Sequence, residues 1–565
     1  EFAFTLAGAV IVSGVIALTL SPMMSSRLLR GGVGEGRLER ALGDATHRLT
    51  ARYSRLLDKT LAARGAVLIV GVTILAAIVV LFLGAKRELA PPEDMGYVYV
   101  QTKAPRYANV DYTAGFNKQI DDIFHTLPEY EHSWFSTGGG DGANTGFGGM
   151  VFHDWADRTR NADDIQAELT ARAGAITGVY ATSFQASPLP AGSGGLPVQL
   201  VIRSAEDFPV IYRTLEGIKG AAWGSGLFTF VDSDLAFDSP EAHISIDRAK
   251  AGELGITMAE IADTLAVMVG ENYINRFNWH DRSYDVIAQV PQDRRLTPDN
   301  LGQFYVKAAS GTLVPLSTVA SVEIRPQPNM LPQFNQMNSA TLSAVLAPGV
   351  TMGQAVDFLQ NQQLPAGTTV DWLSDSRQYV HEGNRLTISF GFALVVIFLV
   401  LAAQFESFRD PLVILVTVPL AVCGALVPLY LGFTTLNIYT QIGLVTLIGL
   451  ISKHGILMVS FANEMQRHEG WDRVEAIRHA AAVRMRPVLM TTAAMVAGLV
   501  PLLFAGGAGA NSRFAIGIVV VMGMLVGTLF TLFVLPTIYT LLAGDHRVQE
   551  APAGERPAEG GLAHA

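Results

Sequence analysis

One ammonium group sits among residues that suit lipid. In the stretch "GLVTLIGLISKHGILMVSFANEM", Gly443 to Met465, Lys453 lies near the middle of an apolar run. A lysine at the centre of a membrane span costs about 2.5–3.5 kcal/mol on insertion scales. The nearer polar end is about eight residues away, roughly 12 Å along a helix, which is further than the side chain can snorkel. Thr446, Gly449, Ser460 and Glu464 fall at near-helical spacing with Lys453 and form a small-or-polar stripe, while Leu444, Leu447, Ile451 and Met458 lie mostly off it. The stripe predicts that Lys453 faces other helices. Two roles stay open on these residues alone: an ion-coupling or gating group, or a structural lysine bonded to carbonyls.

No Asp or Glu falls within the apolar core of any hydrophobic run; Glu1, Glu406 and Glu464 stand at ends. An unpaired buried ammonium is strongly destabilising. Either carbonyls and hydroxyls satisfy Lys453, or a carboxylate comes from polypeptide outside these residues.

A second polar cluster opens the next run, "RMRPVLMTTAAMVAG". Arg484 and Thr491 are seven residues apart, on one face two turns from each other, and Pro487 is placed in the first turn of the span. Thr491 and Thr492 are the polar side chains deep in it. Threonine hydroxyls commonly bond the carbonyl one turn back, so they gain meaning only beside the lysine, as a relay.

Other chemistry is not supported. Formal net charge is −10, which disfavours a nucleic-acid partner. There is no GxxxxGK[ST] for nucleotide phosphates, and "GGGDGANTGFGG" (Gly138–Gly149) reads as a flexible loop. Twelve histidines show neither HExxH nor a Cys/His cluster, so neither metal nor cofactor is expected. No nucleophile–base pair stands at recognisable spacing, and the chain is not expected to be an enzyme. Cys423 is the single cysteine, which excludes an intramolecular disulfide.

Mean hydropathy is +0.31, yet 16% of residues are charged, as in a membrane protein with a large water-facing region. Seven runs read as spans: 2–20, 67–83, 386–403, 412–431, 441–461, 488–503 and 516–541. The chain opens inside an apolar run without Met, as a fragment would. Arg27, Arg30, Arg37, Arg40, Arg48, Arg52 and Arg55 follow the first run, and Arg467, Arg473, Arg478, Arg484 and Arg486 precede the sixth. By the positive-inside rule both stretches are cytoplasmic, which places about 86–385 outside. Between the first two runs, Leu38, Leu42, Leu49, Tyr53, Leu56 and Leu61 make an apolar stripe among arginines; the stretch either lies on the inner membrane surface or is a plain helical connector.

In the outside region, strand and helix patterns alternate as βαββαβ from "MGYVYVQTKAP" to "VYATSFQAS". A second such unit begins at "PVQLVIRS" and resumes at "SATLSAVLA", split by an insertion with its own helix and strands. The resulting division is a span at 1–20, an amphipathic connector at 21–65 and a span at 66–84. One subdomain follows at 88–195 and a second at 196–240 plus 328–376, with the insertion at 241–327. Five spans at 384–543 and a disordered tail at 544–565 complete it.

Four stretches together carry a family resemblance: "ELAPPEDMGYV", "LAAQFESFRDPLVILVTVPLAVCGAL", "GLVTLIGLISKHGILMVSFANEM" and "RMRPVLMTTAAMVAGLVPLL". Nearly the whole chain resembles the C-terminal half of a resistance–nodulation–division (RND) efflux transporter of the hydrophobe and amphiphile branch. The resemblance implies an α+β membrane protein: seven transmembrane helices and a large periplasmic region of ferredoxin-like subdomains, two of them pore subdomains and the insertion a docking subdomain. It implies proton-driven export from the bacterial inner membrane, as a homotrimer working with a periplasmic adaptor and an outer-membrane channel. Lys453 matches the family's relay lysine, Thr491 its relay threonine and Arg484 the arginine near the cytoplasmic proton path; the paired aspartates have no counterpart here. The stretch corresponding to the family's phenylalanine-bearing switch loop is shorter and holds only Phe147, so the resemblance assigns no substrate contacts. Alternatives are a protein-translocation accessory of the same superfamily and a membrane scaffold without transport of its own.

Overall fold

A computed structural model describes residues 2–28, 37–139, 142–189 and 195–547. The chain begins with α1 (Phe2–Leu28), α2 (Arg37–Ala62) and α3 (Arg64–Gly84). After Arg64, α3 is apolar on every side, which suits lipid rather than water.

The first βαββαβ unit comprises β1 (Tyr97–Lys103), α4 (Val110–Phe124), β2 (Tyr130–Gly139), β3 (Gly142–Phe152), α5 (Ala162–Gly174) and β4 (Tyr180–Phe184). Its antiparallel sheet runs β2-β3-β1-β4. Alternation along β1 buries Val98 and Val100 under Ile120 and Phe124 of α4 and Ile165 and Leu169 of α5. Asn109 and Asn161 cap the two helices by accepting from the backbone N–H three residues on.

Here one expectation fails. The glycine-rich stretch read as a loop is mostly strand, and Gly142–Gly149 all belong to β3. The glycines make room for neighbours: a Cβ on Gly146 would lie 2.4 Å from Thr102 and Asn117, and one on Gly148 2.4 Å from the Phe135 ring.

The second unit starts with β5 (Val198–Ser204), α6 (Phe208–Gly224) and β6 (Phe228–Ser233). An insertion follows: β7 (Ser239–Ile246), α7 (Arg248–Glu253), α8 (Met258–Met268), β8 (Tyr273–Trp279), β9 (Arg282–Ile287), β10 (Tyr305–Lys307), β11 (Leu313–Pro315) and β12 (Ala320–Gln327). β7 and β12 pair as its stem, and a separate small core forms around Ile256, Ile261, Val306 and Leu316. The unit then closes with β13 (Gln333–Phe334), β14 (Met337–Leu346), α9 (Met352–Gln360) and β15 (Thr368–Leu373). Four of its strands lie in the order β6-β14-β5-β15, repeating the first unit's topology. Lys103 on β1 and Asp232 on β6 join the two units at 2.5 Å.

The chain re-enters an apolar bundle through α10 (Ser374–Phe405), α11 (Arg409–Leu415), α12 (Thr417–Tyr430), α13 (Ile438–Glu469), α14 (Arg473–Leu503) and α15 (Ala510–Leu542). With α11 and α12 taken as one run, seven helices among the described residues are long and apolar enough to cross a membrane. Small residues set their spacing. A Cβ on Gly527 would lie 2.7 Å from the Cβ of Ala421, and one on Gly424 2.4 Å from Val526, so α12 and α15 touch nearly backbone to backbone.

Further differences from the sequence reading concern helix ends and faces. Pro487 lies mid-helix, because α14 begins at Arg473, where the Asp472 carboxylate accepts from the Val474 N–H at 3.1 Å. On α2 the buried stripe is Tyr53, Leu57 and Leu61, while Leu49 and Leu56 are exposed. Packing on α14 and α15 selects that stripe, and Asp58 pairs with Arg478 of α14 at 2.6 Å. The side chains of Leu38 and Leu42 lie outside what the structure describes. Of the tail read as disordered, residues 548–565 also lie outside the described residues, but 544–547 turn back on the bundle, where His546 Nε2 lies 3.3 Å from Asp410.

Candidate functional site

Helix α13 positions the central residues. Asn437 starts it as a full capping box with Thr440, and Gly470, at φ 71°, ends it in the left-handed conformation. One side, formed by Leu447, Ile448, Ile451, Met458 and Val459, is buried against α11, α12, α14 and α15. That packing decides where the polar stripe goes. Gly449, Lys453, Ser460 and Glu464 are exposed rather than turned toward other helices of this chain. Lys453 thus emerges from an apolar span onto an open face.

Its neighbour His454, which the sequence reading passed over, is fully buried. Nε2 of His454 lies 3.4 Å from Thr491 Oγ1 on α14, and Nδ1 lies 3.5 Å from Thr528 Oγ1 on α15. Thr528 Oγ1 is in turn 3.1 Å from Thr492 Oγ1. Thr491 and Thr492 each donate to the Val488 carbonyl at 2.9 Å. Thr491 therefore meets α13 at His454, the residue beside Lys453. The signal was legible: an imidazole next to an ammonium inside an apolar run.

Arg484 stands two turns from Thr491, its guanidinium 4.5 Å from the centre of the Phe461 ring on α13. Its buried Nε has no hydrogen-bond partner among the described residues.

A second polar cluster closes the same end of the bundle. Asp410 is fully buried and accepts from Asn463 Nδ2 at 3.0 Å. Tyr539 donates to Asn463 Oδ1 at 2.5 Å, and Gln466 Nε2 lies 2.6 Å from the Tyr539 hydroxyl. The sequence reading missed Asp410 because it began that span at Leu412. Packing of α11 against α13, invisible in a local window, buries the carboxylate.

At the opposite end, "ELAPPED" joins bundle to sandwich. The buried Glu93 carboxylate accepts from the Asn511 and Ser512 N–H groups at 3.2 and 2.6 Å, satisfying free donors of the first turn of α15. Asp94 holds Arg158 at 2.6 Å and accepts from the Ala162 N–H at the start of α5 at 2.9 Å. Burial pushes the Asp94 carboxyl up, but Arg158 and these N–H groups outweigh it and hold it below the usual range. Glu88, hydrogen-bonded by Thr435, is pushed up to about 7, chiefly by burial.

Two cavities open in the sandwich region, the first of them beside Glu88. One of about 670 Å³ is lined by Glu88, Phe184, Pro348, Val350, Met352 and Asp375. The other, about 590 Å³, is lined by Tyr99, Phe147, Phe184 and Asp375. The Phe147 ring centre lies 5.2 Å from that of Tyr99 and 6.4 Å from that of Phe184, each pair of rings tilted by 36°.

An apolar helix bundle carrying a buried imidazole and hydroxyl cluster, tied by carboxylate caps to paired βαββαβ units, defines an α+β membrane protein. The chain belongs to the AcrB/AcrD/AcrF family of RND transporters, whose model matches residues 1–543. It is 44% identical to an uncharacterized transporter of Haemophilus influenzae over 97% of this chain and 54% of that protein. It is 29% identical to the multidrug resistance protein MdtF of Escherichia coli K12, over 96% of this chain and 54% of MdtF. Identity is 27% to the solvent-resistant pump membrane transporter SrpB of Pseudomonas putida, over 96% of this chain and 53% of SrpB. The chain thus spans about half the length of the curated relatives it matches.

Proposed function

We propose that this chain forms part of a proton-motive-force-driven exporter of hydrophobic and amphiphilic compounds in a bacterial inner membrane, and that it moves solutes rather than catalysing a chemical conversion. The observation that carries this reading is the exposure of Lys453 on an open face of α13, within an apolar helix. Such a charge marks an ion path by default, and the open face suits a carboxylate-bearing helix from a further part of the transporter. Protonating that carboxylate releases the lysine. α13 and α15 then shift against their neighbours, and Glu93, which grips the start of α15, passes the movement to β1 through the short link at Asp94.

The seven apolar helices cross the membrane, with the sandwich region on the periplasmic side, as the arginine-rich stretches imply. The aromatic cavity around Tyr99, Phe147 and Phe184 suits flat apolar substrates. The β8–β9 hairpin leaves Tyr273, Phe277 and Trp279 exposed, a surface fit for another copy of the chain in a homotrimer. A periplasmic adaptor and an outer-membrane channel complete the assembly.

In the complete transporter, Lys453→Ala abolishes accumulation-lowering export, while trimer formation and membrane level stay near normal. A protonophore imposes the same loss on the wild type. Export retained in both arms overturns the reading.

A further inference from the structure

The buried imidazole beside Lys453 has hydrogen-bonding capacity that the lysine scheme does not use. Successive helical residues are about 100° apart, so Lys453 faces the open side while His454 points into the bundle. Each hydroxyl near the ring has a single proton to give. Thr491 gives its proton to Val488 O at 2.9 Å, so the His454 nitrogen 3.4 Å away, Nε2, must be the donor between them. Thr492 also gives its proton to Val488 O. Thr528 alone has a choice: His454 Nδ1 at 3.5 Å or Thr492 Oγ1 at 3.1 Å. If Thr528 donates to the ring, His454 is neutral with its proton on Nε2. If Thr528 donates to Thr492, Nδ1 can carry a proton and donate to Thr528 instead. Both protonation states are thus satisfied by turning one hydroxyl, with no buried group left orphaned.

We propose that His454 is a further proton-carrying residue of the relay, gaining and losing a proton at Nδ1 as Thr528 swings between the ring and Thr492. The inference rests on the proton-driven reading above. One covalent bond changes, Nδ1–H: it forms with a proton taken from water under the gradient of the proposed function and breaks when that proton returns to water, while the threonine hydroxyls only exchange hydrogen-bond partners.

The surroundings make this uptake depend on Lys453. Around the ring, α14 and α15 present Thr491, Thr492 and Thr528, α11 and α12 bring Ile414 and Thr417 against the adjoining Gly455, and α10 lends the apolar Leu394 and Ile397 to the same bundle core. Among the charged or titratable side chains on those helices, Asp410 is engaged with Asn463 and His546, Tyr539 with Asn463, Arg484 over Phe461, and Cys423 among Leu420 and Val534. Arg486 is exposed, Arg409, Arg473, Glu475, Arg478, His479 and Arg513 lie in the first two turns of their helices, those of α10 lie in its first half, and Tyr430 ends α12. Lys453 is the charge next to the ring. A second positive charge there is tolerated while a carboxylate neutralises Lys453 and repelled once it is released, so lysine release expels the proton from His454.

The test uses the complete transporter in proteoliposomes, with substrate-coupled proton flux measured as a function of pH. His454→Asn retains polar contacts but cannot carry a proton; it lowers coupled flux roughly tenfold or more and flattens the pH profile. Thr528→Val, which removes only the swinging hydroxyl, narrows the profile, and Thr528→Ser keeps it, so a misassembled His454 variant does not leave the question open. Proton-coupled wild type with an unaltered profile in His454→Asn and Thr528→Val overturns this inference alone. Wild-type export without proton flux overturns the proton-driven reading and this inference with it.

Discussion

The Tyr53 hydroxyl of α2 donates to the Leu532 carbonyl of α15 at 2.6 Å, across 479 positions of sequence. Leu532 lies four residues before Pro536, which has no N–H to return that bond. The proline frees a carbonyl inside an apolar bundle, and a tyrosine from an amphipathic helix satisfies it. Tyr53→Phe leaves this acceptor unpaired and costs about 1–3 kcal/mol. The thermal midpoint in detergent falls, whereas Leu49→Ala, at an exposed position of the same helix, leaves it within error.

Thr491 returns its hydroxyl to its own helix, and beyond that helix the hydroxyl meets His454 among the described residues. Thr491→Ala is therefore mild for folding and severe for transport. Export in cells lacking their own pumps falls roughly tenfold or more, with unchanged protein level. Wild-type turnover would remove Thr491 from the relay.

The Arg158 side chain is 2% exposed, and its guanidinium lies 5.1 Å from the centre of the Phe152 ring while it binds Asp94. Arg158→Ala strands a partly buried carboxylate and costs about 3–5 kcal/mol. Hydrogen exchange localises the loss to α5 and β1. Since the Asp94 pKa is lowered in the fold, the pair's contribution is present above the ordinary aspartate value of 3.8 and fades as pH falls through the folded value.

Glu88 behaves oppositely. Its folded pKa is raised from 4.5 to about 7, so the native state holds the extra proton between those values. Its contribution is complete below 4.5 and lost as pH rises through about 7. Glu88→Gln removes that slope and gains on the order of 1–3 kcal/mol at pH 8 relative to wild type. Unfolding curves at pH 5 and pH 8 check it; an unchanged slope would falsify the assignment.

Apolar length marked the long helices, because one helix satisfies its own backbone wherever it lies. Period-two patterns such as "YVYVQTK" marked the strands. Lys453 stood out because a charge in an apolar run is conspicuous without neighbours. What tertiary structure decided was direction. Packing on α11, α12, α14 and α15 turned Lys453 outward and His454 inward, although both lie on one turn. Contacts from α4 and β2 made strand of glycines that read as loop. The burial of Asp410 and the joining of Tyr53 to Leu532 arise between helices distant in sequence, where no local pattern reaches.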